Sequence, residues 1–148
     1  MAYQAKKHKR FREDFELVDE NGEVVHTLHV DLDADDMVVR INRKYTALTR
    51  ILGETSDMKK KAETAEEVNE RFEKLGRAIV DLLETVFGTE NAKTLLDFYE
   101  NRYIELTKEV TPFITQVVIP RCVEIKKENK KSVLKGYNRK ARRKLFGR

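Results

Sequence analysis

With a single cysteine, Cys122, the chain cannot close an internal disulfide, so its fold has to be held by packing alone. That usage suits a reducing compartment, and a cytoplasmic location is the expectation. Cys122 sits in the run IPRCVEI beside apolar residues, with no local base to activate it, and reads as a structural thiol. No apolar run approaches the roughly 18 residues of a membrane span, and no apolar signal core follows Met1, so no membrane partner is expected. Serine is scarce: Ser56 and Ser132 both lie in polar segments, outside any triad context. His26 and His29 stand three apart in a strand-like run and so point to opposite faces; with only Cys122 as a further soft ligand, no zinc site is expected. Gly22, Gly53 and Gly88 fall at turns or helix ends, and none lies in a phosphate-cradling loop.

One calcium-like opening, Asp31-Leu32-Asp33-Ala34-Asp35, fails where it matters. The sixth position, which needs glycine for the sharp turn, is Asp36, and the twelfth, which needs glutamate to close the site, is Asn42. A strand end followed by a helix cap explains the run better. The residues therefore carry no metal site, no cofactor motif and no catalytic constellation, and the expected protein is not an enzyme.

Charge is abundant. Charged residues make up 38% of the 148 and apolar ones 40%, which is enough for one domain with a wet surface. Residues 1–12 carry a balance of +5 and residues 126–148 a balance of +10, against −11 for the acidic stretch between them. Two basic ends on an acidic body act through charge on nucleic acid, on an acidic partner or on the body itself.

The chain orders itself into a basic arm (1–12), a domain (13–125) and a basic tail (127–148). Within the domain, FELV and EVVHTLHV flank Asn21-Gly22, which supplies the positive φ of a hairpin turn, and a β-hairpin is expected over 14–31. Asp33 is placed to cap a helix over about 34–52, with Met37, Val38, Ile41, Tyr45, Leu48 and Leu52 as its stripe and Gly53 as its stop. Thr64 and Glu67 have capping-box spacing, and a helix is expected from there to Phe87 with Gly88 past its end. Its apolar face is narrow from Val68 to Leu75 and wide from Ile79 to Phe87, so only the second half should be deeply buried. Gly76 at the border allows a close crossing or a bend. Thr89 is placed to cap a helix over 90–110, and Thr111-Pro112 reads as the cap and first position of a last helix, 111–126, which Pro120 should kink or end. The fold class is α+β, mostly α: a hairpin, then a bundle of four to five helices.

Two features carry functional readings. The segment 95–118 has more apolar and aromatic residues than one helix face needs, and Leu95, Phe98, Tyr99, Tyr103, Ile104, Phe113 and Val117 are the candidate surface for an apolar helical client. In the tail, Tyr137, Ala141 and Leu145 fall four apart amid Arg139, Lys140, Arg142, Arg143 and Lys144, a pattern that could fold on a polyanion. Nucleic acid is the less favoured partner: beyond Gly88-Thr89 the helix would present Glu90, Asp97 and Glu100, which repel phosphate.

The order FELVDENGEVVHTLHVDLDADD, a long two-helix middle, LLDFYENRYIELTKEVTPFI and a Lys/Arg-rich end resembles the small tail assembly chaperones of long-tailed phages and prophages of Gram-positive bacteria. The resemblance implies a mostly helical, non-enzymatic protein of the host cytoplasm that coats the tape measure protein before the tail tube polymerises. It also implies self-association and a longer frameshifted companion. It supplies no residue-level motif to carry over.

Overall fold

Asp19 and Gly22 build the first turn. The Asp19 carboxylate accepts the N–H groups of Asn21 and Glu23 at 2.9 and 3.0 Å, and Gly22 takes φ +83°. An aspartate folding back on its own turn competes well with extended backbone, and the glycine bears the positive φ without strain. The turn joins β1 (Phe11–Val18) to β2 (Val24–Leu32) in an antiparallel pair running from Phe11↔Leu32 to Leu17↔His26, with an irregularity between Leu17 and Val18. The hairpin is longer than the expected 14–31 because Phe11, 1% exposed, plugs the core at its open end. On the solvent face the side chains pair through polar groups: His29 meets Asp14 at 2.7 Å, and Asp31 takes Arg10 at 2.7 Å and Arg12 at 3.4 Å. The Arg10 hydrogen bond holds the Asp31 carboxyl below the usual carboxylate range.

The structure is a computed structural model describing residues 2–58 and 64–131. After the hairpin come α1 (Ala34–Met58), α2 (Ala65–Phe87), α3 (Thr89–Phe98) and α4 (Tyr103–Phe113), then a π-helical stretch Ile114–Val118 and a last helix, α5, over 119–131. The α+β, mostly helical class is as expected. Asp33 caps α1 through the Asp35 N–H at 3.0 Å, which, with the Asp31 ion pairs, absorbs the calcium-like run into a strand end and a cap. Gly53 does not stop α1, which runs through it to Met58. A lone glycine costs a helix only about 1 kcal/mol, and the burial of Met37, Ile41 and Leu48 outweighs that.

α2 is the hub, packing against α1, β2, α3 and α4. Thr64 caps it by accepting the Glu67 N–H at 3.3 Å. Its two halves differ as the pattern requires: Val68 and Phe72 are 46% and 56% exposed, whereas Ile79, Leu82, Leu83, Val86 and Phe87 are buried. At Gly76 a Cβ would stand 3.0 Å from the Tyr103 ring, so this glycine marks a close approach of α4.

The later helices depart from expectation in three places. Thr89 does not cap α3; Gly88 ends α2 and begins α3 in one residue, at φ +84° and ψ 165°. The single helix expected over 90–110 is broken at 99–102, where Glu100 and Asn101 take φ +51° and +61° and the Asn101 N–H reaches back to Leu96 O at 2.9 Å. This is a left-handed helix ending made without glycine. Replacing Glu100 by glycine is expected to raise stability by about 0.5–1 kcal/mol in a urea melt, since a side chain in that conformation costs about 1 kcal/mol. Finally, Thr111-Pro112 starts nothing: Pro112 lies inside α4, and the helix continues through Pro120 to residue 131. The π turn before it, closed by the Ile119 N–H on Ile114 O, widens the helix where the Pro120 ring would otherwise meet a carbonyl.

Through that adjustment Ile114, Val118, Cys122 and Ile125 stay on one buried stripe. Cys122 is fully buried and its thiol pKa is pushed up to about 11 by desolvation. A disulfide-exchange reagent at pH 8 is expected to label it more than about tenfold slower than a free thiol, at a rate that follows unfolding. An unfolded thiol ionises near about 8.5 and the folded one later, so between those values the unfolded state holds fewer protons and stability falls as pH rises.

Candidate interaction surface

The seven candidate client residues do not form one surface. Leu95 is fully buried on α3 and belongs to the core. Phe113 is half-buried in an aromatic cluster that ties the hairpin to α2 and α4, with ring centroids 4.9 Å from Phe15, 5.8 Å from Phe87 and 6.5 Å from Phe11. Both are structural. The break at 99–102 separates the others: Phe98 and Tyr99 pack edge to face at 4.9 Å on one side, while Tyr103 and Ile104 open α4 on the other.

Phe98 and Tyr99 line a concavity of about 660 Å³ against the hairpin turn, rimmed by Asp19, Glu20, Glu105 and Glu109. Arg102 bridges Glu100 and Glu105 at 3.7 and 3.8 Å. Burial raises the Tyr99 phenol pKa, and Glu109 and Glu105 raise it further. An apolar client would meet carboxylates at every edge of this concavity, so it fits the client role poorly.

The exposed apolar groups lie elsewhere. Val68 and Phe72 are one turn apart on α2, the Phe72 ring meets Tyr103 at 6.3 Å, and Ile104 next to it is 63% exposed. Val117 on the π-helical stretch and Val123 on α5 are exposed at 38% and 36%. Of the seven candidates, Tyr103, Ile104 and Val117 thus keep a surface role, and Phe72 and Val68 join them. The narrow apolar face of early α2 was the signal for these two.

The basic arm is not free over its whole length. The Lys9 N–H and C=O both pair with the Asn129 side-chain amide at 3.1 Å, and Lys9 Nζ reaches Glu128 at 2.9 Å. That hydrogen bond holds the Glu128 carboxyl below its ordinary range. Asn129 is the one buried polar residue among those described, so α5 has to continue beyond the expected 126 to bring it there. The base of the arm at Lys9 is therefore held against the described start of the tail at Glu128 and Asn129. Arg139, Lys140, Arg142, Arg143 and Lys144 lie outside the described residues.

A second basic feature was not apparent as a group in the sequence. Between α1 and α2 runs a groove of about 560 Å³ walled by Arg40, Arg43 and Lys44 on one side and Lys74 and Arg77 on the other. Its signal was a set of cations at helical spacing along the flank of each apolar stripe. Among the described residues no group of His, Cys, Asp and Glu is placed to hold a metal ion, and no helix is long and apolar enough to cross a membrane.

Comparison with protein-family models, with curated proteins and with solved structures finds no match to this chain.

Proposed function

We propose that this chain is a non-enzymatic tail assembly chaperone, acting in the bacterial host cytoplasm, that binds a phage tape measure protein and keeps it soluble until the tail tube polymerises. The observation that carries the reading is the set of exposed apolar groups on helical surfaces: Val68 and Phe72, with Ile104 next to the half-buried Tyr103 that the Phe72 ring meets, and Val117 several turns further along. A holdase needs groups of this kind, apolar enough to cover a client helix and shallow enough to release it. The resemblance implies a mostly helical protein, and the fold is mostly helical. Binding the unassembled client lowers the concentration free to aggregate. In a co-expression test, the soluble fraction of the tape measure protein is expected to rise with this chain present; an unchanged soluble fraction contradicts the reading.

One observation favours a second reading, binding to nucleic acid through the basic ends. The Lys9–Asn129 pairing sets the base of the basic arm against residues 126–131, which carry four lysines and one glutamate. Its test is salt titration of binding to nonspecific DNA, with a chain ending at Lys131 as control. A steep salt dependence that vanishes on truncation supports it. The cut belongs after Lys131 because one at Lys126 would remove the buried Asn129.

A further inference from the structure

We propose that the groove between α1 and α2 is a docking site for an acidic amphipathic helix of a protein partner. Its walls hold five cations and its lining a single carboxylate, Asp81, which stands 3.9 Å from Lys44. Arg77 reaches Glu73 at 3.8 Å along its own helix. Arg40, Arg43 and Lys74 have no ion-pair partner among the described residues. Like charges held this close raise each other's energy, so an anionic occupant relieves a repulsion as well as making pairs.

The floor decides which anion. It is made by Ala47 and Ala78, with Ile51 at one end, and short side chains there let a partner's backbone come close while its apolar face is covered. From Arg40 to Ile51 the α1 wall runs three helical turns, about 16 Å at a rise of about 1.5 Å per residue. The wall cations recur at spacings of three and four, the same period at which a helix repeats its carboxylates. Phosphate strands gain nothing from an alanine and isoleucine floor and are repelled by Asp81. A duplex, about 20 Å across, could touch only the rim of a cleft between helices whose axes lie about 8–10 Å apart. This chain's own terminal segments are excluded by sign, since residues 1–12 and 126–148 are both strongly basic.

The proposal rests on the chaperone reading only for the partner's identity, and it adds the chemistry of the segment held. The full-length chain is titrated against a fluorescent helical peptide of about 18 residues, with glutamates flanking a leucine and alanine stripe. The comparison ligands are the same peptide with glutamine for glutamate, and a short DNA duplex. Arg40→Glu/Arg77→Glu reverses one charge in each wall at exposed positions, and Arg40→Lys/Arg77→Lys keeps the charge; circular dichroism checks that both fold. The acidic peptide is expected to bind at least about tenfold more tightly than the glutamine peptide. It should weaken with added salt, lose at least about tenfold in the Glu variant and keep its affinity in the Lys variant. Equal binding of the two peptides, undiminished binding to the Glu variant, or displacement of the peptide by duplex at similar concentration would each overturn the proposal. A wild-type chain that binds the acidic peptide yet leaves the tape measure protein insoluble contradicts the functional reading and not the groove. Rescue of solubility without peptide binding does the reverse.

Discussion

Replacing Phe113 by alanine is expected to cost about 3 kcal/mol of folding stability, near the lower end of the range for large aromatic truncations because the ring is half-buried. Phe113 was a candidate for client contact, yet its ring lies between Phe11 and Phe15 of the hairpin and Phe87 of α2. Truncation removes three aromatic contacts at once and opens the joint that holds a two-stranded sheet, marginal by itself, against the helices. The companion change Ile104→Ala removes a side chain that is 63% exposed and should shift stability by less than about 0.5 kcal/mol. Urea melts of the two variants read the contrast directly. Equal midpoints would show that the aromatic cluster does not bind the hairpin to the body.

Two glycine-to-alanine changes should have opposite signs. Gly88 stands at φ +84° and ψ 165°, a region essentially closed to residues with a Cβ, although an added Cβ would touch nothing within 4 Å. The cost of Gly88→Ala is therefore backbone strain alone, about 1–3 kcal/mol. It falls on the residue that sets α3 against α2, so the loss should appear as a lower global midpoint. Gly53 lies inside α1, also with open space around an added Cβ, and Gly53→Ala should stabilise by about 0.5–1 kcal/mol through helix propensity. Paired thermal melts measure both; a stabilising Gly88→Ala would mean that the joint does not need its observed backbone.

These positions also show what could be read in advance. The Thr64 and Asp33 caps, the Gly22 turn and most of the helix stripes follow local rules and are present where those rules put them, except that Leu52, expected on the α1 stripe, is exposed past its buried part. Gly53 misleads because a single glycine signals a stop only if packing does not carry the helix past it. The 99–102 break is invisible for the converse reason: Glu100 and Asn101 take left-handed backbone with neither glycine nor proline to mark it. Pro120 was visible, but the π turn that accommodates it is a response of the whole helix and has no residue signature. The candidate site was less legible than the fold. An apolar excess over 95–118 is the same whether its residues line a groove or fill a core, and only packing separates fully buried Leu95 from exposed Ile104. The groove cations belong to two helices, and sequence order alone does not bring Arg40 opposite Arg77.

The central claim, that this chain holds a helical client through its exposed apolar set, is tested most directly by light scattering. A tape measure fragment is diluted from denaturant with no addition, with the wild-type chain, or with Phe72→Glu/Ile104→Glu, whose urea midpoint is checked against wild type. Wild type is expected to suppress scattering in proportion to its molar ratio, and the folded double variant to lose most of that effect. Superimposable scattering with and without the wild-type chain would contradict the account.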